Sequence, residues 1–338
     1  MSSEPSILDE FYFQWHITER CNMSCAHCYQ EIKPVSELPL DDLLKIVNQM
    51  ERAVVSWGMM GTISLTGGEP LIRRDDLYSL MARIDDSEAI SYYDILTNGS
   101  LISFEEANRL SGCKKLRRVQ VSLEGASLQS NDAIRGVGSF NATIRAIRYL
   151  REHLIDVSVM TTVTRRNKDE LSAIVDLLGR EDVQAMAIER FIPEGRGAGM
   201  SDQVLSASEL RDVFEKMYQI AINKPPVRIL LYRPLFALIA PEDHTVGALC
   251  SIGNNSLSIM PDGTVFPCRR LPISIGNILT DGLFKIWYDA EVLWKIREPE
   301  NLEGKCADCE LLSQCRGCRA AAYFATGNYM AEDPQCWK

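Results

Sequence analysis

Cys21, Cys25 and Cys28 place three thiolates within eight residues, in the run Thr18-Glu19-Arg20-Cys21-Asn22-Met23-Ser24-Cys25-Ala26-His27-Cys28-Tyr29. A closed structural zinc or iron–sulfur site takes four protein ligands, so a metal group held by three keeps an open position that can bind and activate something. On spacing alone the triplet suits such a site, half of a zinc site, or a redox-active thiol patch. Seven more cysteines, Cys250, Cys268, Cys306, Cys309, Cys315, Cys318 and Cys336, lie near the other end, and Cys113 stands alone between the groups.

The elements that position these residues read as a parallel α/β domain. Short apolar strands are expected at Tyr12–Ile17, Thr62–Leu65, Tyr93–Leu96, Arg118–Leu123, Val157–Val163 and Ala185–Phe191. Helices are expected near 40–56, 74–84, 103–110, 139–153 and 168–179. Strands of this texture suit an inner sheet covered by helices, and six such units suit a parallel α/β barrel, closed or partial. A glycine-rich stretch at 193–199, a helix near 207–222 and Pro225-Pro226 precede a further short strand at Val227–Tyr232. From Cys250 the texture turns to short turns, as in a small metal-stapled module.

With 338 residues the chain can bury a sizeable core. Its 46% apolar and 24% charged residues are ordinary for a globular protein. A formal net charge of −10 argues against a nucleic-acid partner, which would want a basic stripe. No apolar run has membrane-spanning length, and Met1-Ser2-Ser3-Glu4-Pro5 lacks a basic-then-apolar leader. A cytoplasmic protein is expected. Structural disulfides are uncommon there, so eleven cysteines point to metal ligation.

Thr66-Gly67-Gly68-Glu69-Pro70 follows the second strand directly. Glycines at a strand end let backbone approach a ligand, and a carboxylate beside them can pair with an ammonium group. The cysteine triplet and this GGEP run, one β/α unit apart, resemble those of the radical S-adenosylmethionine (radical SAM) enzymes. The resemblance implies a partial (β/α)6 parallel barrel over about residues 1–205, with chemistry at the carboxyl ends of its strands. It implies a [4Fe–4S] cluster on Cys21, Cys25 and Cys28 that binds SAM. Gly67, Gly68, Glu69 and Pro70 would meet the SAM amino group. Ser122 and Arg135 would hold its ribose and carboxylate, and His27 would pack near adenine. Glu124 and Asn131 stand where the family more often has Asp and His, so only Ser122 and Arg135 carry over from that region.

Thr162, Thr164 and Arg190 are weaker candidates for lining the barrel top. His16 reads as core or barrel lining, and His153 and His244 have no supporting constellation. Cys113 is either a hydrogen-atom donor, as in radical epimerases, or a helix-end cysteine.

Beyond a bridging helix and strand at 206–247, the cysteines of 248–338 resemble the SPASM extension with two auxiliary [4Fe–4S] clusters. One spacing departs: two residues, rather than three, separate Cys315 from Cys318. By resemblance, Cys306, Cys309, Cys315 and Cys336 hold one cluster completely. Cys250, Cys268 and Cys318 hold the other with three ligands, leaving its fourth iron open or filled by another group. Two zinc sites with one outside ligand are the alternative.

Three clusters and SAM imply an oxidoreductase. It would abstract hydrogen from a substrate carbon, then oxidise the substrate, with a flavodoxin- or ferredoxin-type reductant as partner. The expected substrate is a peptide or protein, matured by a thioether, a carbon–carbon crosslink or an oxidation. The run from Gly317-Cys318-Arg319 to Asp333-Pro334-Gln335-Cys336 also resembles SPASM proteins that modify haem-type tetrapyrrole side chains. An electron-transfer protein without catalysis is the reading from another class.

Overall fold

The computed structural model describes residues 10–30, 36–243 and 245–338; His244 and the Met1–Pro5 segment lie outside them. Strand and helix alternate through β1 (Glu10–His16), α1 (Leu40–Ser56), β2 (Met60–Thr66), α2 (Arg74–Asp85), β3 (Ile90–Thr97) and α3 (Phe104–Leu110). The series continues through β4 (Leu116–Ser122), α4 (Leu128–Arg135), α5 (Ser139–Glu152), β5 (Val157–Val163), α6 (Leu171–Arg180), β6 (Ala185–Arg190), α7 (Ala207–Ile222) and β7 (Arg228–Ile229). All six expected barrel strands are present, with ends displaced by three residues or fewer.

The sheet order is β7-β6-β5-β4-β3-β2-β1-β8-β9, and β1 to β7 are parallel neighbours. β1 pairs with β8 (Ser256–Ile259) rather than with β6, so the barrel is open, as the partial form requires. β8 runs parallel to β1 and turns back antiparallel into β9 (Val265–Phe266). The cysteine-rich region is therefore more than turns: it extends the barrel sheet and adds α8 (Leu283–Asp289), α9 (Glu291–Arg297) and α10 (Arg319–Thr326).

Strand alternation decides what each face carries. On β1, Phe11, Phe13 and Trp15 are fully buried on the helix side, where Phe11 packs 4.7 Å from Trp57 and 4.9 Å from Trp287 of α8. Tyr12, Gln14 and His16 face the other way, in register with Thr62, Ser64 and Thr66 of β2. The barrel interior beside β1 is thus lined by hydroxyls and polar rings. α1 buries Leu43, Ile46, Val47, Met50, Ala53 and Val54 at helical spacing, with Asp41 and Asp42 in its first turn, where the helix dipole favours them. Among the described residues no helix is long and apolar enough to cross a membrane.

Candidate metal centres

The Cys21–Cys28 loop leaves the carboxyl end of β1 and is held on three sides by backbone. Along the first side, Gly68 donates to the Thr18 carbonyl and Glu69 to the Arg20 carbonyl, each at 2.9 Å. A Cβ at Gly67 would collide with the Thr18 carbonyl and one at Gly68 with the Arg20 carbonyl. Both glycines are needed for this close approach. On the second side, Ala26 donates to Ile134 at 2.8 Å, and the Cys25 thiol lies 3.6 Å from the Arg135 carbonyl of α4. On the third, Gly197 donates to Cys28 at 2.9 Å and Arg196 to Gln30 at 3.3 Å. Gly195 there takes a left-handed φ of 56° against the Tyr29 carbonyl.

Glu69 is completely buried. Its carboxylate accepts from the Thr97 hydroxyl at 2.8 Å, from the Asn98 N–H at 2.8 Å and from the Leu71 N–H at 3.2 Å. Burial pushes the carboxyl up to about 6 despite those donors. Pro70 starts the short 3-10 turn that Glu69 caps. The Asn98 amide also reaches the Cys21 sulfur at 3.7 Å, linking the carboxylate's cradle to the first cysteine.

Glu124 and Asn131, the two departures from the family pattern, turn out to work together. Glu124 accepts from Arg135 at 2.8 Å and stands 3.4 Å from the His27 ring, and all three are buried or nearly so. Burial opposes its charge, but the Arg135 guanidinium and then His27 hold its carboxyl down at about 2. Asn131 accepts from the Glu124 N–H at 2.9 Å and donates to Ser139 at 2.9 Å, fixing the turn. Arg135 is therefore in an ion pair, but a buried one beside the cysteine loop rather than on the surface. Its Nε–H is buried with no hydrogen-bond partner among the described residues, which suits a donor awaiting a ligand's acceptor, and the His27 Nδ1 is likewise buried without a partner. Ser122 ends β4 on the inner face, in register with Met160 of β5.

Arg135→Met is expected to cost about 3–5 kcal/mol, because it strands the Glu124 charge in the interior. The pair's stabilisation is present above the ordinary carboxyl value of 4.5 and is lost as pH falls through about 2. Denaturant unfolding of the metal-free protein measures this. Adding Glu124→Leu to Arg135→Met should recover most of the loss.

Several weaker candidates are placed elsewhere. Cys113 precedes β4, at the amino-terminal ends of the strands, whereas the triplet follows β1 at the carboxyl ends; its thiol faces the Arg109 carbonyl at 3.9 Å. Cys113 thus follows α3 at the opposite end of the barrel from the triplet. Thr164 closes a local turn through Asn167, and His153 caps its own helix at the Tyr149 carbonyl. Thr162 lies in register with Glu189 of β6. His16 is fully buried on the inner face, both ring nitrogens without a partner among the described residues, 6.4 Å from the Tyr29 ring. Arg190 does not line an open barrel top: its guanidinium is taken by Asp333, at 2.7 and 2.6 Å.

All eleven cysteines are free thiols. In the C-terminal region Cys268 has Cys250 and Cys318 as neighbours, and Cys336 has Cys306 and Cys309. Burial pushes the Cys268 thiol up to about 12, with Cys250 and Cys318 adding to the effect. Burial likewise raises Cys315 to about 12, and the nearby Asp333 and Cys336 add to it. Cys336 is raised by burial, with Cys306 and Cys309 close to it. Among the described residues no three ligand side chains converge on a point for one ion. Cluster-binding thiolates each take a different iron and stand apart, and sets of three or four soft cysteine ligands suit such a cluster. Metal binding would also displace the protons these buried thiols otherwise keep.

Together these features define an enzyme class: an open parallel α/β barrel with soft-ligand loops at the carboxyl ends of its strands. Residues 15–178 match the family model of the radical SAM superfamily, and residues 250–319 match that of the SPASM iron-sulfur cluster-binding domain. The AdoMet-dependent heme synthase of Nitratidesulfovibrio vulgaris is 33% identical over 95% of this chain and 90% of its own length. The mycofactocin maturase MftC of Mycolicibacterium smegmatis is 32% identical over 95% of this chain and 81% of its own. In fold, the chain resembles Streptococcus suis SuiB bound to S-adenosylmethionine (TM-score 0.76, 19% identity, 97% of this chain and 77% of that one). It also resembles anSMEcpe with bound AdoMet (TM-score 0.73, 17% identity, 96% and 93%). The chain belongs to the radical SAM superfamily, as an enzyme with a C-terminal SPASM domain that uses [4Fe–4S] clusters and SAM.

Proposed function

We propose that the protein cleaves SAM reductively at a cluster held by Cys21, Cys25 and Cys28 and oxidises a side chain of a haem-type tetrapyrrole. The observation that carries the substrate class is likeness along nearly the whole length to heme synthases, including one from Methanosarcina barkeri aligned over 95% of its own chain. A peptide substrate is the second reading, favoured by the likeness to mycofactocin maturases. The sequence alone orders these two readings the other way.

When bound, the cluster and SAM supply a 5′-deoxyadenosyl radical that takes hydrogen from a substrate carbon. The protein's own residues bind, orient and exclude water. Gly67 and Gly68 let backbone lie against the cysteine loop, and Glu69 pairs with the SAM ammonium group while Pro70 fixes the turn. Arg135, with Nε free and Glu124 holding Nη1, engages the SAM carboxylate; Ser122 takes the ribose and His27 packs near adenine. Cys306, Cys309, Cys315 and Cys336 would hold one further cluster and Cys250, Cys268 and Cys318 another, and these would supply an acceptor for the electron that substrate oxidation releases. The roles divide as barrel (1–205), bridge (206–247) and auxiliary-cluster region (248–338). A ferredoxin- or flavodoxin-type reductant in the cytoplasm supplies the starting electron.

Anaerobic incubation of reconstituted protein with SAM, dithionite and iron coproporphyrin tests this by mass spectrometry. Expected are 5′-deoxyadenosine and a tetrapyrrole of altered mass. 5′-Deoxyadenosine with unchanged tetrapyrrole sinks the substrate class. None at all sinks the enzyme reading and leaves an electron-transfer protein.

A further inference from the structure

We propose that the buried Arg190–Asp333 pair is an electrostatic bridge that sets the reduction potentials of the two auxiliary clusters together; this rests on the assignment of those clusters above. Arg190 comes from the end of β6 and is 7% exposed; Asp333, from the C-terminal segment, is 2% exposed. The guanidinium makes two bonds to the carboxylate, at 2.7 and 2.6 Å, and a third to Gln335 at 3.2 Å. Gln335 in turn donates to the Leu205 carbonyl at 2.8 Å, tying the segment before Cys336 to the barrel.

Asp333 stands between the two cysteine sets. One oxygen accepts from the Cys318 N–H at 2.8 Å, in the three-cysteine set. A Cβ at Gly317 would lie 2.9 Å from the Asp333 Cβ and 3.1 Å from the Cys306 sulfur, which belongs to the four-cysteine set. One buried negative charge therefore neighbours ligands of both clusters, and one guanidinium neutralises it. Charge and hydrogen bonds near the sulfurs, together with burial, are the protein's levers on cluster potential. Arg190 is also joined to the three-cysteine set by its own carbonyl, which accepts from Arg270, two residues beyond Cys268, at 3.0 Å.

The sign of the shift separates tuning from mere structural support. Asp333→Asn removes the negative charge and leaves Arg190, so the auxiliary potentials rise. Arg190→Gln leaves the negative charge uncompensated while the N–H bonds to Asp333 remain, so they fall. Each change alters the reduced-to-oxidised ratio at a fixed potential by on the order of tenfold. Arg190→Lys keeps the charge and stays near the parent. Potentiometric EPR on a Cys21→Ala/Cys25→Ala/Cys28→Ala parent isolates the auxiliary clusters, with iron content measured for every variant. Opposite shifts with full iron support the bridge. Shifts of one sign, no shifts, or loss of iron from the Arg190 and Asp333 variants overturn it. A parent without iron overturns the cluster assignment itself.

Discussion

Gly68→Ala is expected to lower 5′-deoxyadenosine formation at least about 100-fold, the scale of loss that a 1 Å misplacement of reacting groups brings. The residue touches no metal, yet its missing Cβ is where the Arg20 carbonyl runs, with the Glu19 carbonyl 2.7 Å away. These are backbone atoms, so no flexible side-chain end can move aside. The Glu69 N–H bond to Arg20 would break, and Arg20 directly precedes Cys21. Displacement of the first cysteine relative to the other two follows. Gly199→Ala is the matched control, because a Cβ there meets nothing within 4 Å. Product assays with iron content and circular dichroism check the result. Activity of Gly68→Ala within threefold of the parent would sink the argument.

The contrast between those two glycines illustrates what was legible in the chain and what was not. The six barrel strands are apolar and bounded by turn residues, so local pattern sufficed to find them. β8 escaped because a four-residue run, Ser256-Leu-Ser-Ile259, carries little periodic signal, and its partner β1 lies far away in sequence. α4 escaped because Leu128 and Ile134 are too few apolar positions to mark a helical stripe; Ser127 and Ser130 at its start and Gly136, with φ 106°, at its end define it instead. In the candidate site, residue type announced the cysteines and Glu69. Glu124 read as a departure from pattern until Arg135 and His27 were seen to converge on it. Nothing in the sequence pairs Asp333 with Arg190, on a strand 143 residues away.

Binding of SAM by the cluster-loaded protein is expected to weaken as pH falls below about 6, approaching about tenfold per pH unit. The cause is Glu69. With its carboxyl raised from 4.5 to about 6, the SAM-free fold is favoured while Glu69 is protonated, fully so below 4.5. That advantage, about 2 kcal/mol for a shift of this size, is lost as pH rises through about 6. An ammonium partner does the opposite. It stabilises the carboxylate, so SAM must displace the Glu69 proton in order to bind at low pH, whereas at pH 7.5 the group is already ionised. Glu69→Gln keeps the shape and loses the charge. A buried ion pair broken at one partner costs 2–5 kcal/mol or more, so its affinity should fall at least about 30-fold at pH 7.5 and lose most of its dependence on pH. Equilibrium dialysis at pH 5.5 and 7.5, with iron content confirmed at both, reads all of this. Equal affinities at the two pH values would remove Glu69 from the ammonium site, and a steep profile retained by Glu69→Gln would assign the titration to another group.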